Sequence, residues 1–134
     1  METLELIPAE TTARKSIYEY FQQAMRRPKD AASGTAGELQ AGAEGNSAVF
    51  YLTAAGGRIT KAEFRCTTCV TLVALCEHLA ELAVGSSPDE ARELNAGLML
   101  QLHPEVPAPL QDRAGLACAA LHAAITALEK GNES

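Results

Sequence analysis

Apolar side chains recur at spacings of three and four between about Ala9 and Arg27. Ile17, Tyr20, Phe21, Ala24 and Met25 fall on one face, which predicts an amphipathic helix. Pro28 discourages its continuation. Residues 31–46 lose all periodicity and are rich in Ala, Gly and Ser, which predicts a flexible loop. Loops of that length within compact domains are commonly functional or disordered. A period of two takes over at Ser47. Ala48, Phe50, Leu52 and Ala54 share one face, and Ser47, Val49, Tyr51 and Thr53 the other. Gly56-Gly57 permits the positive φ angles of a tight turn. The return strand, about Arg58 to Arg65, alternates Ile59, Lys61, Glu63 and Arg65 against Thr60, Ala62, Phe64 and Cys66. Together these form a β-hairpin with one buried face.

Helical character returns at about Thr68. The run from Cys69 to Leu82 is apolar on most faces, so the helix is expected to be largely buried, with Gly85 as its stop. Ser87-Pro88-Asp89-Glu90 combines an N-cap, a first-turn proline and a capping-box Glu, opening a short helix that ends near Gly97. His103 to Pro109 holds three prolines and reads as a connector. A last Ala-rich helix is expected from about Gly115 to Lys130. Helix, hairpin, then helices make a single α+β domain over residues 1–134: an N-terminal helix and a small antiparallel sheet packed against C-terminal helices.

Composition narrows the function. Seventeen acidic residues against eleven basic ones give a formal net charge of −6, which argues against general nucleic-acid binding. The one basic cluster, Arg26-Arg27-Pro28-Lys29, reads as a solvated helix end. No apolar run approaches the ~18 residues of a membrane span, and the first eight residues lack the pattern of a signal peptide. A cytoplasmic location, with reduced thiols, is expected.

The cysteines carry the candidate chemistry. Cys66-Thr-Thr-Cys69 lies where a strand gives way to a helix, and unpaired amides at a helix amino terminus favour thiolate there, most of all at Cys69. Cys118 lies near the expected start of the last helix, a position of the same kind. Cys76 reads as a small buried hydrophobe. One CxxC alone does not make a self-contained zinc site.

At this point the sequence resembles the IscU/NifU-type scaffolds on which iron–sulfur clusters are assembled. The order of elements is similar, as are Phe64-Arg65 ahead of a cysteine at a helix start, Ser87-Pro88-Asp89-Glu90, and the late Arg113, Cys118, Leu121 and Ala124. The resemblance spans residues 15–130. It implies an IscU/SufE-like fold, a bound Fe–S cluster, iron or Zn, sulfur taken from a cysteine desulfurase, and handover to apo iron–sulfur proteins. The family's second and third ligand cysteines fall on Cys69 and Cys118. Its first, in a Cys-Gly-Asp motif, falls on Ala43-Glu44-Gly45, where neither the cysteine nor the aspartate is present. The His that often precedes the third cysteine is Ala117, and the chaperone motif is replaced by Val106-Pro-Ala-Pro-Leu110.

These departures suggest that Cys66 replaces the lost ligand. Cys66, Cys69 and Cys118 would then hold Zn²⁺ or a cluster, with His103, Asp112, Glu44 or an exogenous thiolate as the fourth ligand. The strand pleat speaks against it, since Cys66 shares the Phe64 face. The competing reading is a non-catalytic partner protein that keeps the scaffold fold and binds no metal. A thioredoxin-like role lacks the required βαβ pattern. His78 and His122 are expected to be packed within helices, and His103 to be a surface histidine. Glu77, Glu81, Glu90 and Glu93 are expected on solvated helix faces. Neither a Ser–His–Asp order with local support nor a phosphate loop is present, so an enzyme with turnover of its own is not expected.

Overall fold

The computed structural model describes residues 15–28 and 32–133. The expected start of the first helix, before Lys15, lies outside them, as does Lys29. Helix α1 covers Ile17–Met25 and opens on a capping box. The Ser16 hydroxyl accepts from the Glu19 N–H at 3.2 Å, and the Glu19 carboxylate accepts from the Ser16 N–H at 2.8 Å.

The hairpin forms as predicted, from β3 (Ser47–Ala55) and β4 (Arg58–Cys66). Gly56 and Gly57 both adopt positive φ, +62° and +79°, as a two-residue turn of this hand requires. A bulge near the turn changes the expected alternation. Thr53 pairs with Lys61 but Ala54 pairs with Ile59, so Thr60 is the extra residue. Ile59 therefore crosses to the core face and is fully buried, away from Lys61, Glu63 and Arg65.

The segment expected as a loop supplies two short strands, β1 (Thr35–Ala36) and β2 (Gln40–Ala41). Both pair antiparallel with β3, at Thr35↔Leu52 and Gln40↔Ala48, on the side away from β4. Two-residue strands leave no periodicity to read in a sequence. Gly37 shows why this stretch lies close to the fold: a Cβ there would come within 2.4 Å of the Ala124 backbone nitrogen.

Helix α2 (Val70–Ala83) is buried along nearly its whole length. It packs against α1, β4 and the long last helix α5 (Asp112–Glu133), which also crosses β3. Phe50, Leu52, Ile59, Leu72, Leu75, Leu79, Leu121 and Ile125 are fully enclosed between the sheet and these helices. Each such side chain contributes roughly 1.5–3 kcal/mol on burial. The short helix expected to reach Gly97 divides in two. Helix α3 (Pro88–Ala91) uses the predicted capping box, and Asn95 then caps a new helix, α4 (Ala96–Leu102), by accepting from the Leu98 N–H at 2.8 Å. Helices gathered on one face of an antiparallel sheet make this an α+β fold. Among the described residues, no helix is long and apolar enough to cross a membrane.

Candidate functional site

The chain passes from β4 to α2 in three residues, and Thr67 fixes that passage. Its N–H donates to the Ser47 carbonyl at 3.1 Å and its hydroxyl to the Asn46 side chain at 2.9 Å. Cys69 is thereby held as the N-cap of α2, with extended backbone angles and a partly exposed side chain. It stands one position earlier than the expected first turn. Its sulfur makes no capping hydrogen bond.

The sulfur of Cys69 instead meets Arg113, in the first turn of α5. The Arg113 guanidinium is enclosed, 6% exposed, and donates to the Asp112 carboxylate at 2.6 Å, to Glu44 and to Cys69. Asp112, then Glu44, then Cys69 raise its already high pKa further, so it is a fixed cation. Glu44 reaches it from a 3₁₀ turn, Ala43–Gly45, in which Glu44 itself adopts φ +61°. Such a conformation in a non-glycine residue costs about 1–3 kcal/mol and is kept only where the surroundings dictate it. Here the Asn46 N–H and side-chain amide both donate to the Ala43 carbonyl, closing the turn. The Arg113 Nε, buried, has no hydrogen-bond partner among the described residues.

The other cysteines lie elsewhere. The Cys66 side chain follows the pleat: its residue pairs with Ala48 on the core face, and its sulfur accepts from the Cys76 thiol. That bond lowers the Cys66 pKa despite burial, whereas burial, chiefly, drives Cys76 well up. Cys118 corrects the expectation of an exposed low-pKa thiol. Helix α5 begins at Asp112, ahead of the expected Gly115, so Cys118 lies beyond the first turn and its unpaired amides. It is 5% exposed, and burial pushes its pKa up to about 11. Among the described residues no group of three His, Cys, Asp or Glu side chains is arranged to hold a metal ion. The carboxylates and the thiol at the site share a guanidinium instead.

Two further expectations are corrected. His103 is fully buried, its Nε2 lying 2.7 Å from Nδ1 of buried His78, on which Tyr20 stacks at 4.3 Å. Glu77 is also fully buried, salt-bridged to Arg27 at 2.5 Å, so Arg27 is more than a solvated helix end. His122 is packed as expected, its Nε2 2.7 Å from the Leu94 carbonyl oxygen. The contact between Arg113 and Cys69 escaped sequence reasoning. The residues are 44 positions apart, and the resemblance pointed to Arg113 only as part of the late Arg, Cys, Leu and Ala pattern, not as a partner of Cys69.

No protein-family model and no curated protein sequence matches this chain. Solved structures do. One is a protein of Fervidobacterium islandicum AW-1 assigned as an iron–sulfur cluster assembly scaffold for the SUF system. It matches with a TM-score of 0.63 and 18% identity, over 81% of this chain and 96% of its own. A second is the N-terminal part of a nitrogen-fixing NifU-like protein of Brucella abortus, with a TM-score of 0.58 and 18% identity over 94% and 98% of the two chains. The fold is IscU/NifU-like. At this identity the likeness establishes the shared architecture.

Proposed function

We propose that this IscU/NifU-like protein is an iron–sulfur assembly scaffold whose Cys69 accepts sulfur from a cysteine desulfurase and holds the growing cargo. The observation that carries the reading is the buried Arg113 Nε, without a hydrogen-bond partner among the described residues, of a guanidinium that also meets the Cys69 sulfur. A persulfide on Cys69 would add an anionic sulfur beside a fixed cation with an N–H to donate. In the transfer, the Cys69 thiolate attacks the terminal sulfur of the desulfurase persulfide. A new S–S bond forms on Cys69 and the old one breaks. The electron pair leaves on the desulfurase thiolate, so no net oxidant is needed.

Metal cargo, Zn²⁺ or iron, would use the soft Cys69 thiolate with the carboxylates of Glu44 and Asp112, once Arg113 withdraws from between them. Glu44 thus stands in the region of the family's absent first ligand. Cys118 and Cys66 complete the set only by turning from their buried positions. Apo iron–sulfur proteins would receive the product.

A second reading, an adaptor that keeps the scaffold fold and binds a desulfurase without cargo, is favoured by Arg113 itself, which already neutralises the carboxylates. Anaerobic reconstitution with iron and sulfide separates the two. A scaffold gains a visible absorption band that disappears in Cys69→Ser. An adaptor stays colourless and co-elutes with a cysteine desulfurase.

A further inference from the structure

Away from Arg113, two reduced thiols stand in contact. Cys66 closes β4, and Cys76 lies ten residues on, in the second turn of α2. The Cys76 thiol donates to the Cys66 sulfur, so the two sulfur atoms meet across the boundary between strand and helix. Cys69 is nearer to Cys66 in sequence but turns to Arg113 instead. The pairing is therefore between β4 and α2, not within the CxxC. A small buried hydrophobe accounts for the burial of Cys76 but not for its place against a second thiol.

The two thiols differ in access. Cys66 is part-exposed and is among the residues lining a cavity of about 650 Å³ along the outer edge of β4. Cys76 is fully buried, so an oxidant from solvent meets Cys66 first. The hydrogen bond from Cys76 favours the Cys66 thiolate, while burial, chiefly, keeps Cys76 protonated. An accessible thiol with thiolate character beside a resolving thiol is the arrangement of redox-sensing cysteines.

We propose that Cys66 and Cys76 form a peroxide-responsive pair, in which Cys66 is oxidised and Cys76 resolves it as an intramolecular disulfide. The Cys66 thiolate attacks one oxygen of a hydroperoxide. An S–O bond forms, the O–O bond breaks, and the electron pair leaves on the departing oxygen, which takes a proton from water. Cys66 is now a sulfenic acid and the hydroperoxide has been reduced. The Cys76 sulfur then attacks the Cys66 sulfur. Its proton and the leaving hydroxide depart together as water. The pair has lost two electrons in all, the number that one hydroperoxide accepts. Bond formation draws the sulfurs to about 2.05 Å and ties the end of β4 to α2, across the passage that holds Cys69.

The probe is hydrogen peroxide, added in slight excess to the full chain in the presence of a metal chelator. Chymotryptic cleavage after Phe64, Leu72, Leu75 and Leu79 places Cys66 in residues 65–72 and Cys76 in residues 76–79. In wild-type protein these two peptides should be found joined by a disulfide that reduction with dithiothreitol reverses. Cys69→Ser removes the other part-exposed thiol, and its free thiols, counted after unfolding, should fall from three to one per chain. In Cys76→Ala the sulfenic acid has no resolving partner, so dimedone should label Cys66 roughly tenfold more than in wild type. The peptide map of wild-type protein keeps the test intact if either variant fails to fold. A disulfide from Cys66 to Cys69 or to a second chain would overturn the proposal. So would Cys66 carried on to sulfinic acid, or left unreacted, with Cys76 still free.

Discussion

At the residue scale, the four cysteines share a side chain but have been given different chemistry by their surroundings. Cys66 accepts a hydrogen bond from Cys76, which favours its thiolate, whereas Cys118 is enclosed in the core and held protonated up to about pH 11. Alkylation requires the thiolate. Raising the pH in the presence of iodoacetamide should therefore label Cys66 well before Cys118, as read by peptide mass mapping. Cys118 should remain unlabelled until the pH nears 11. Replacing Cys76 with Ala removes the donor and should move the onset of Cys66 labelling to higher pH. Equal labelling of Cys66 and Cys118 at pH 8 would contradict the assigned environments. Sequence reading found all four thiols yet misjudged Cys118. Its environment depends on α5 starting at Asp112, and no single residue near Gly115 signals that start. Glu77 was misread for a similar reason: helical spacing distinguishes faces, but α2 is buried on nearly all of them.

At the element scale, the hairpin and α2 were legible because each has strong local signals: strict alternation around Gly56-Gly57, and a continuous apolar run. The bulge at Thr60 was not, since it preserves composition while shifting register by one residue. The strands β1 and β2 were hidden because they owe their existence to pairing with β3 and to contact with α5. Gly37 tests that account. Its missing Cβ allows close approach to Ala124, so Gly37→Ala should destabilise the fold by ~1–3 kcal/mol through overpacking. Denaturant unfolding would register this as a lower midpoint with unchanged slope. An unaltered midpoint would mean the segment does not pack against α5. Ser87→Ala is a milder test: it removes the α3 capping box and should cost about 1 kcal/mol, without effect on the thiols.

At the scale of the whole molecule, the fold brings three distant parts of the chain to one place. The turn at Glu44, the start of α2 at Cys69 and the start of α5 at Arg113 meet beyond the end of the sheet. Their meeting was only half visible in the sequence. The family resemblance drew attention to Cys69, Cys118 and the stretch around Glu44, but the guanidinium uniting Cys69 with Glu44 is a product of tertiary structure. Arg113 gives the site its character as counter-ion to the carboxylates of Glu44 and Asp112; on the scaffold proposal it would also donate to an anionic sulfur carried on Cys69. On that proposal it would also compete with an incoming metal ion, because both would seek the same carboxylates and thiolate. Removing it should therefore raise metal affinity while weakening the acceptance of persulfide sulfur, a split that a purely structural arginine would not produce.

The most direct test is zinc stoichiometry by elemental analysis, on anaerobically prepared wild-type protein and on Cys69→Ser and Arg113→Ala, each equilibrated with Zn²⁺ and a competing chelator. The scaffold account predicts about one zinc per wild-type chain, held by a soft thiolate and hard carboxylates. It predicts near-complete loss in Cys69→Ser, and retention against higher chelator concentrations in Arg113→Ala. Zinc bound equally by wild type and Cys69→Ser, or by neither wild type nor Arg113→Ala, would contradict a metal-loading site at Cys69 and leave the fold to serve as an adaptor.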